Sequence, residues 1–198
     1  MKEHSLGIAD ELFIRGDIPM TKQEVRILAL AKARIGPRDS VIDIGAGTGS
    51  LTVEAALLAR QGRVFAVERE QAGIGLIRTN AARFEAGNIT VIEGSAPEAL
   101  TGLPAADVIF IGGSGGQLAS ILETSDQLLK AGGRLVIMAV TPETLHEALT
   151  GLESRGGYAV EASGLQVTRL RQAGTKHLFQ ALNPVYIIAA TKGGSHDR

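Results

Sequence analysis

The 198 residues contain no cysteine and no tryptophan, and aromatic residues make up 4% of the chain. Without cysteine there are no disulfides, no thiolate metal sites and no cysteine nucleophiles, and no metal site is expected. The formal charge is -1, with acidic and basic residues interspersed. Neither a basic face nor a stacking surface for nucleic acid is therefore expected. No stretch reaches the eighteen or so unbroken apolar residues of a membrane span. The opening MKEHSLGIADELFIRG breaks its apolar residues with charges, unlike a signal peptide. A soluble, cytoplasmic protein follows as the expectation.

What is present is hydrophobic enough, at 44%, to build one sizeable core in a chain too short for two comfortable domains. Short Val- and Ile-rich runs at Ser40–Ile44, Arg63–Val67, Ile89–Ile92, Asp107–Ile111 and Arg134–Val140 read as strands. They alternate with helical patterns at Ser50–Arg60, Gln71–Glu85, Gly116–Lys130 and Pro142–Ser154. Such alternation predicts a doubly wound α/β domain with a mostly parallel sheet. Tyr158–Thr168 and Val185–Thr191 are strand-like with no helix between them, and predict an antiparallel C-terminal ending. Residues 1–36 form an N-terminal segment and helix, 37–192 the core, and 193–198 a frayed tail. Thr21 with Glu24 and Ser95 with Glu98 have the spacing of capping boxes.

The strongest local signal is Asp43-Ile44-Gly45-Ala46-Gly47-Thr48-Gly49, where the first strand turns into a helix. Glycines here permit unusual dihedrals and close approach of a ligand to the backbone, beside free N–H groups at a helix start. The same physics serves nucleoside triphosphates, dinucleotides and sulfonium nucleosides, and a tight turn without any ligand is the plain alternative. A P-loop Gly-Lys-Ser/Thr is absent, and Ser50 stands where a dinucleotide fingerprint has Gly or Ala. The D-x-G-x-G-x-G spacing resembles the first motif of class I S-adenosylmethionine (SAM) methyltransferases. Glu68 ends the second strand, where a carboxylate accepts hydrogen bonds from ribose hydroxyls. Both NAD and SAM carry that ribose, and a solvated acid beside Arg69 is the plain reading. Gly94-Ser95-Ala96-Pro97-Glu98 stands where this class meets adenine. The Ala96 N–H would face a ring nitrogen, and Ser95 replaces the usual Asp.

The fourth strand ends in Gly112-Gly113-Ser114-Gly115-Gly116. The Asn/Asp-Pro-Pro-aromatic motif of enzymes that methylate base amines is missing there. Four glycines around a serine leave room and backbone donors for a bulky, oxygen-rich substrate, unless the stretch is simply a flexible loop. Arg169, Arg171, Lys176 and His177 lie between the last two strands, in what reads as a long basic loop. They would meet substrate carboxylates if the loop shares the rim of the glycine motifs, or form a solvated surface or subunit contact.

Five segments together resemble a narrower family. They are Ile8–Phe13, Pro19–Arg26, Asp43–Gly49, Glu93–Leu100 and Ile111–Gly116, and they resemble the CbiT family, the decarboxylating cobalt-precorrin-6B carbon-15 methyltransferases of cobalamin synthesis. The resemblance runs from about Leu6 to Lys192. It implies a seven-stranded Rossmann-like sheet with an antiparallel C-terminal strand, SAM as methyl donor and a cobalt-precorrin substrate. It implies contacts to SAM from Thr21, Gly45–Gly49, Glu68 and Ala96, to which the motif reading adds Asp43 and Ser95. The substrate side falls to Gly112–Gly116. No acid or base is singled out; Ser114, Arg169, Arg171 and His177 are the candidates for positioning the substrate. Relatives of the family form tetramers, so a homo-oligomer is expected. Three other readings remain open: a class I methyltransferase acting on RNA or protein, a nicotinamide oxidoreductase on the same sheet, and a non-catalytic subunit.

Overall fold

A computed structural model describes residues 6–193. Residues 194–198 of the tail, with His196, and the first five residues, with His4, lie outside the described residues. Gly193, read as the start of a frayed end, donates its N–H to the Gly157 carbonyl at 2.6 Å.

The helices and strands alternate along most of the chain. They are α1 (Gln23–Ala33), β1 (Ser40–Ile44), α2 (Ser50–Leu58), β2 (Arg63–Glu68), α3 (Gln71–Arg83), β3 (Ile89–Glu93), β4 (Ala106–Ile111), α4 (Leu118–Leu128), β5 (Leu129–Ala139), α5 (Pro142–Arg155), β6 (Tyr158–Leu165), β7 (Thr168–Ala173), β8 (Lys176–Ala181) and β9 (Val185–Lys192). The main sheet has seven strands in the order β3-β2-β1-β4-β5-β9-β6. β9 runs antiparallel to both β5 and β6, so β6 points the same way as β5. The strands pair in register, Ile42 between Phe65 and Ile109 for example.

The Val and Ile runs follow from burial on both faces. Val41, Val108 and Val136 face α1 and α2, against Ala29, Leu30 and Ala55. Ile42, Ile109 and Ile137 face α4 and α5, against Ile121, Leu122 and Leu152. The seven residues from Ser50 to Ala56 in α2 are all buried, because a second layer covers the face turned away from the sheet. Ile8, Phe13 and Met20 of the N-terminal segment pack there with Val53 and Phe84, and the rings of Phe13 and Phe84 lie 4.8 Å apart.

The basic segment after β6 is not a loop. β7 and β8 form a separate two-stranded antiparallel hairpin, closed by Gly174-Thr175 with Gly174 at φ +61°, a two-residue turn that suits glycine. β6 accordingly stops at Leu165 rather than running on to Thr168. The two expected capping boxes also give way. α1 starts after Lys22 with no side-chain cap, and Ser95 contributes its carbonyl, not its hydroxyl, to the Ala99 N–H. The side-chain cap that does form is at Thr141, whose hydroxyl accepts the Thr144 N–H at 3.2 Å.

Candidate active site

β1 and β4 are neighbours whose connections run to opposite sides of the sheet, which opens a crevice at their carboxyl ends. Gly45, Gly47 and Gly49 all have positive φ, +73°, +56° and +75°. A Cβ would also collide at each: with the Gly113 amide nitrogen at 2.8 Å, the Pro19 carbonyl oxygen at 3.0 Å and the Ile77 Cα at 3.0 Å. The three glycines thus let the β4 loop, the N-terminal segment and α3 close around one turn.

That turn has used most of its own donors. The amides of Gly45 and Ala46 bond to the Val67 carbonyl at 3.0 and 3.1 Å, and that of Gly49 bonds to the Ala46 carbonyl at 2.9 Å. The Gly47 amide donates to Glu68 Oε2 at 2.8 Å. A phosphate cradle needs several unpaired amides converging on the anion. This loop instead carries a carboxylate at its centre, which repels phosphate and suits a cation.

Glu68 is held firmly. Its Oε1 accepts the amides of Arg69 and Glu70, both at 2.9 Å, while among the described residues Oε2 takes only that of Gly47. A carboxylate offers about four acceptor sites, so Oε2 retains room for a ligand hydroxyl. Gly73 in α3 allows this placement, since a Cβ there would lie 2.9 Å from Glu68 Cγ. Sequence reasoning passed over Gly73; two glycines within one turn of a helix, Gly73 and Gly75, were the available signal.

Asp43 lies beneath the loop and does not line the cavity. Its Oδ2 accepts the Thr52 hydroxyl at 2.5 Å. Burial pushes its carboxyl up to about 6, aided by the nearby Glu68 charge and opposed by the Thr52 bond. Thr48 is buried, and its carbonyl accepts Asn80 Nδ2 at 2.8 Å. Neither Thr48 nor Gly49 reaches the cavity wall. Asp43, Thr48 and Gly49, expected among the cofactor-binding residues, shape the loop from behind in this structure.

The cavity itself measures about 480 Å³, within the roughly 300–1,000 Å³ typical of small-molecule sites. Thr21, Gly45–Gly47, Glu68, Ser95, Ala96 and Gly112–Gly115 all line it. A smaller space of about 190 Å³ adjoins it at Gly112–Ser114, walled by Leu118, Ile137, Met138, Val140 and Thr144. Among the described residues no charged one lines this annex, and Gly116 lines neither space.

The expected basic contacts are placed elsewhere. Arg171, Lys176 and His177 stand exposed on the hairpin strands, and neither they nor Arg169 line the cavity. Arg169 donates to both Glu24 oxygens, at 3.0 and 2.5 Å, and to Asp10 Oδ2 at 3.0 Å. Those carboxylates hold its guanidinium above its ordinary pKa. Glu24 is lowered in turn by Arg169. For Asp10, burial pushes upward, but the bonds to Arg26 and Arg169 outweigh it.

Beneath this pair lies a network that sequence reasoning missed. Arg26 is fully buried. It bonds to Glu54 Oε1 at 2.7 Å, Asp10 Oδ1 at 2.8 Å, the Thr21 carbonyl at 2.5 Å and the Ile8 carbonyl, and stacks over the Phe13 ring. Glu54 Oε2 also accepts the Gly7 amide at 2.7 Å. The readable sign was a lone acid inside the otherwise uncharged helix SLTVEAALL.

The model of the precorrin methyltransferase domain matches residues 11–192. A cobalt-precorrin-6B C(15)-methyltransferase (decarboxylating) of Salmonella typhimurium is 43% identical over 190 residues, covering 96% of this chain and 98% of that protein. Among solved structures, a precorrin-6y C5,15-methyltransferase from Geobacter metallireducens superposes with a TM-score of 0.89 at 43% identity, over 94% of this chain and 97% of that one. A precorrin 8w decarboxylase from Methanobacterium thermoautotrophicum gives 0.87 at 37% identity, over 92% and 98%. With a family match across most of its length and relatives this similar end to end, the chain belongs to the precorrin methyltransferase family.

Proposed function

We propose that this chain binds SAM in the cavity between β1 and β4 and methylates carbon 15 of cobalt-precorrin-6B. The ring C acetate is lost as carbon dioxide, giving cobalt-precorrin-7 in cobalamin biosynthesis. The observation that carries the reading is the glycine turn, most of whose amides are satisfied internally and whose Gly47 N–H donates to Glu68. A neutral ribose and a cationic sulfonium suit that surface, whereas a dinucleotide pyrophosphate does not. The relatives' names, which include both methyltransferases and a decarboxylase, support the substrate class.

In this reading Glu68 Oε2 accepts a ribose hydroxyl, Ala96 N–H meets the adenine ring, and Thr21 closes the opposite wall. SAM supplies an electrophilic methyl group. An electron-rich ring carbon needs alignment and exclusion of water rather than a strong base, and the cavity walls provide both. The uncharged annex lined by Leu118, Ile137 and Met138 receives the acetate. A carboxylate stripped of water there loses carbon dioxide more readily, with the macrocycle taking the electron pair. Gly112, Gly113 and Ser114 form the wall shared by both spaces.

The chain works in the cytoplasm as a homotetramer, without a nucleic-acid partner. Among the described residues no helix is long and apolar enough to cross a membrane. Leu170 and Phe179, paired across one face of the hairpin, are 66% and 83% exposed, an apolar patch that a second copy would cover.

The test is anaerobic incubation with SAM and cobalt-precorrin-6B, read by mass spectrometry, with the cobalt-free substrate in parallel. One methyl gained and one carbon dioxide lost is the expected result. No mass change, in a sample that binds NAD but not SAM by calorimetry, would defeat the reading.

A further inference from the structure

We propose that Arg169, on the hairpin and outside the cavity, is a positioning residue that sets the N-terminal wall of the cofactor site. The proposal rests on the reading of that cavity as the SAM site. Its basis is a continuous run of bonded groups. The Arg169 guanidinium spans Glu24, on the first turn of α1, and Asp10, in the segment that leads into the wall. The other oxygen of Asp10 is taken by Arg26 Nη1 at 2.8 Å, and the same nitrogen holds the Thr21 carbonyl at 2.5 Å. Thr21 and Val25 line the cavity, as do Ile18, Pro19 and Met20.

Without Arg169, Asp10 and Glu24 keep their negative charges with one guanidinium fewer between them. Arg26 is then the remaining cation bonded to Asp10, and Glu24 has no cation among the bonds described here. The wall loosens where it must be held before the cofactor arrives, and ordering it is charged against binding. A planar fork bridging two carboxylates is a role for arginine that lysine fills only in part. Arg169 itself is partly exposed, with its side chain 37% accessible, and stands on a hairpin apart from the main sheet. Its removal is therefore expected to act on the wall more than on the fold.

The test compares Arg169→Met, Arg169→Lys and Glu24→Gln with the wild type. Arg169→Met is expected to weaken SAM binding by about tenfold in calorimetry and to raise KM for SAM. The kcat at saturating SAM, KM for the tetrapyrrole and Tm stay near wild type. Glu24→Gln follows it, and Arg169→Lys recovers part of the loss. Hydrogen–deuterium exchange on the ligand-free protein reads the wall without any cofactor, and residues 18–22 should exchange faster in Arg169→Met. Unchanged protection of residues 18–22 overturns the proposal even if the cavity proves not to bind SAM. So does wild-type SAM affinity in Arg169→Met, and a rise confined to KM for the tetrapyrrole would make Arg169 a substrate contact instead.

Discussion

A methyl group added at position 45 would sit 2.8 Å from the Gly113 amide nitrogen and 2.9 Å from its carbonyl oxygen, both backbone atoms that no rotamer change relieves. Gly45 is also at φ +73°, so Gly45→Ala combines a dihedral penalty with a collision. A loss of more than about 1 kcal/mol is expected, measured by urea unfolding, with SAM affinity falling alongside as the β4 loop is displaced. Asp43 is a different single-residue case. Its folded-state value of about 6 stands above the ordinary 3.8, so the native state binds its proton more tightly than the unfolded chain does. Its contribution to stability is present below about pH 3.8 and is lost as pH rises through 6, leaving a cost of roughly 3 kcal/mol at neutrality. Asp43→Asn keeps a partner for the Thr52 hydroxyl and removes that loss. Relative to wild type it should gain stability between pH 4 and 7 in denaturant midpoints, and a constant difference across that range would refute the assignment.

The elements divide by what surrounds them. β1, β2 and β4 were legible because both faces are buried and their residues, such as Val41, Ile42 and Ile44, are apolar without alternation. β7 and β8 were not, because both faces are exposed and Thr168–Ala173 shows no core-facing stripe. The Thr21–Glu24 box had the right spacing but was outcompeted. Thr21 turns its carbonyl to Arg26, and Glu24 is taken by Arg169, 145 residues away. Long-range pairs of this kind leave no local pattern. Arg26 tests the N-terminal element: Arg26→Met strands the buried Glu54 and leaves the well-buried Asp10 with Arg169 as its partner. A cost of about 3–5 kcal/mol is expected, read from urea unfolding, together with faster proteolysis of the segment before α1. The annex beside β5 is tested through Val140, 68% exposed at its mouth. Val140→Lys places a cation beside the acetate and steadies its charged form. Methylated product that keeps its carboxyl should accumulate in single-turnover mass spectra, whereas carbon dioxide release at the wild-type rate would refute the annex's role.

At the scale of the whole molecule, the site was only partly readable from the chain. Its floor, the glycine turn with Glu68, and its walls at residues 94–96 and 112–115 carry motifs of their own, whereas residues 18–20 and 22 reach it through the packing of the N-terminal segment and leave no local pattern. Assembly belongs to this scale too. If a second copy covers that face, Leu170→Asp with Phe179→Asp should lower the mass found by light scattering below that of the wild type, and an unchanged mass would assign any contact to another face. Acid sensitivity is a global property as well. Asp10, Glu24, Asp107 and Asp126 are all held below their ordinary values, so the stability they add is present above the unfolded value near 4 and disappears as pH falls through their lower folded values.

β9 fills the place between β5 and β6, yet its residues leave the ribosome after both neighbours. Until it threads in, β6 has no sheet partner and β5 presents a bare edge of unpaired N–H and C=O groups. The nascent polypeptide must therefore carry an open seam beside one edge of its sheet until residues 185–192 arrive, and translation stalled before Val185 would release a sticky, unclosed molecule rather than a smaller working one.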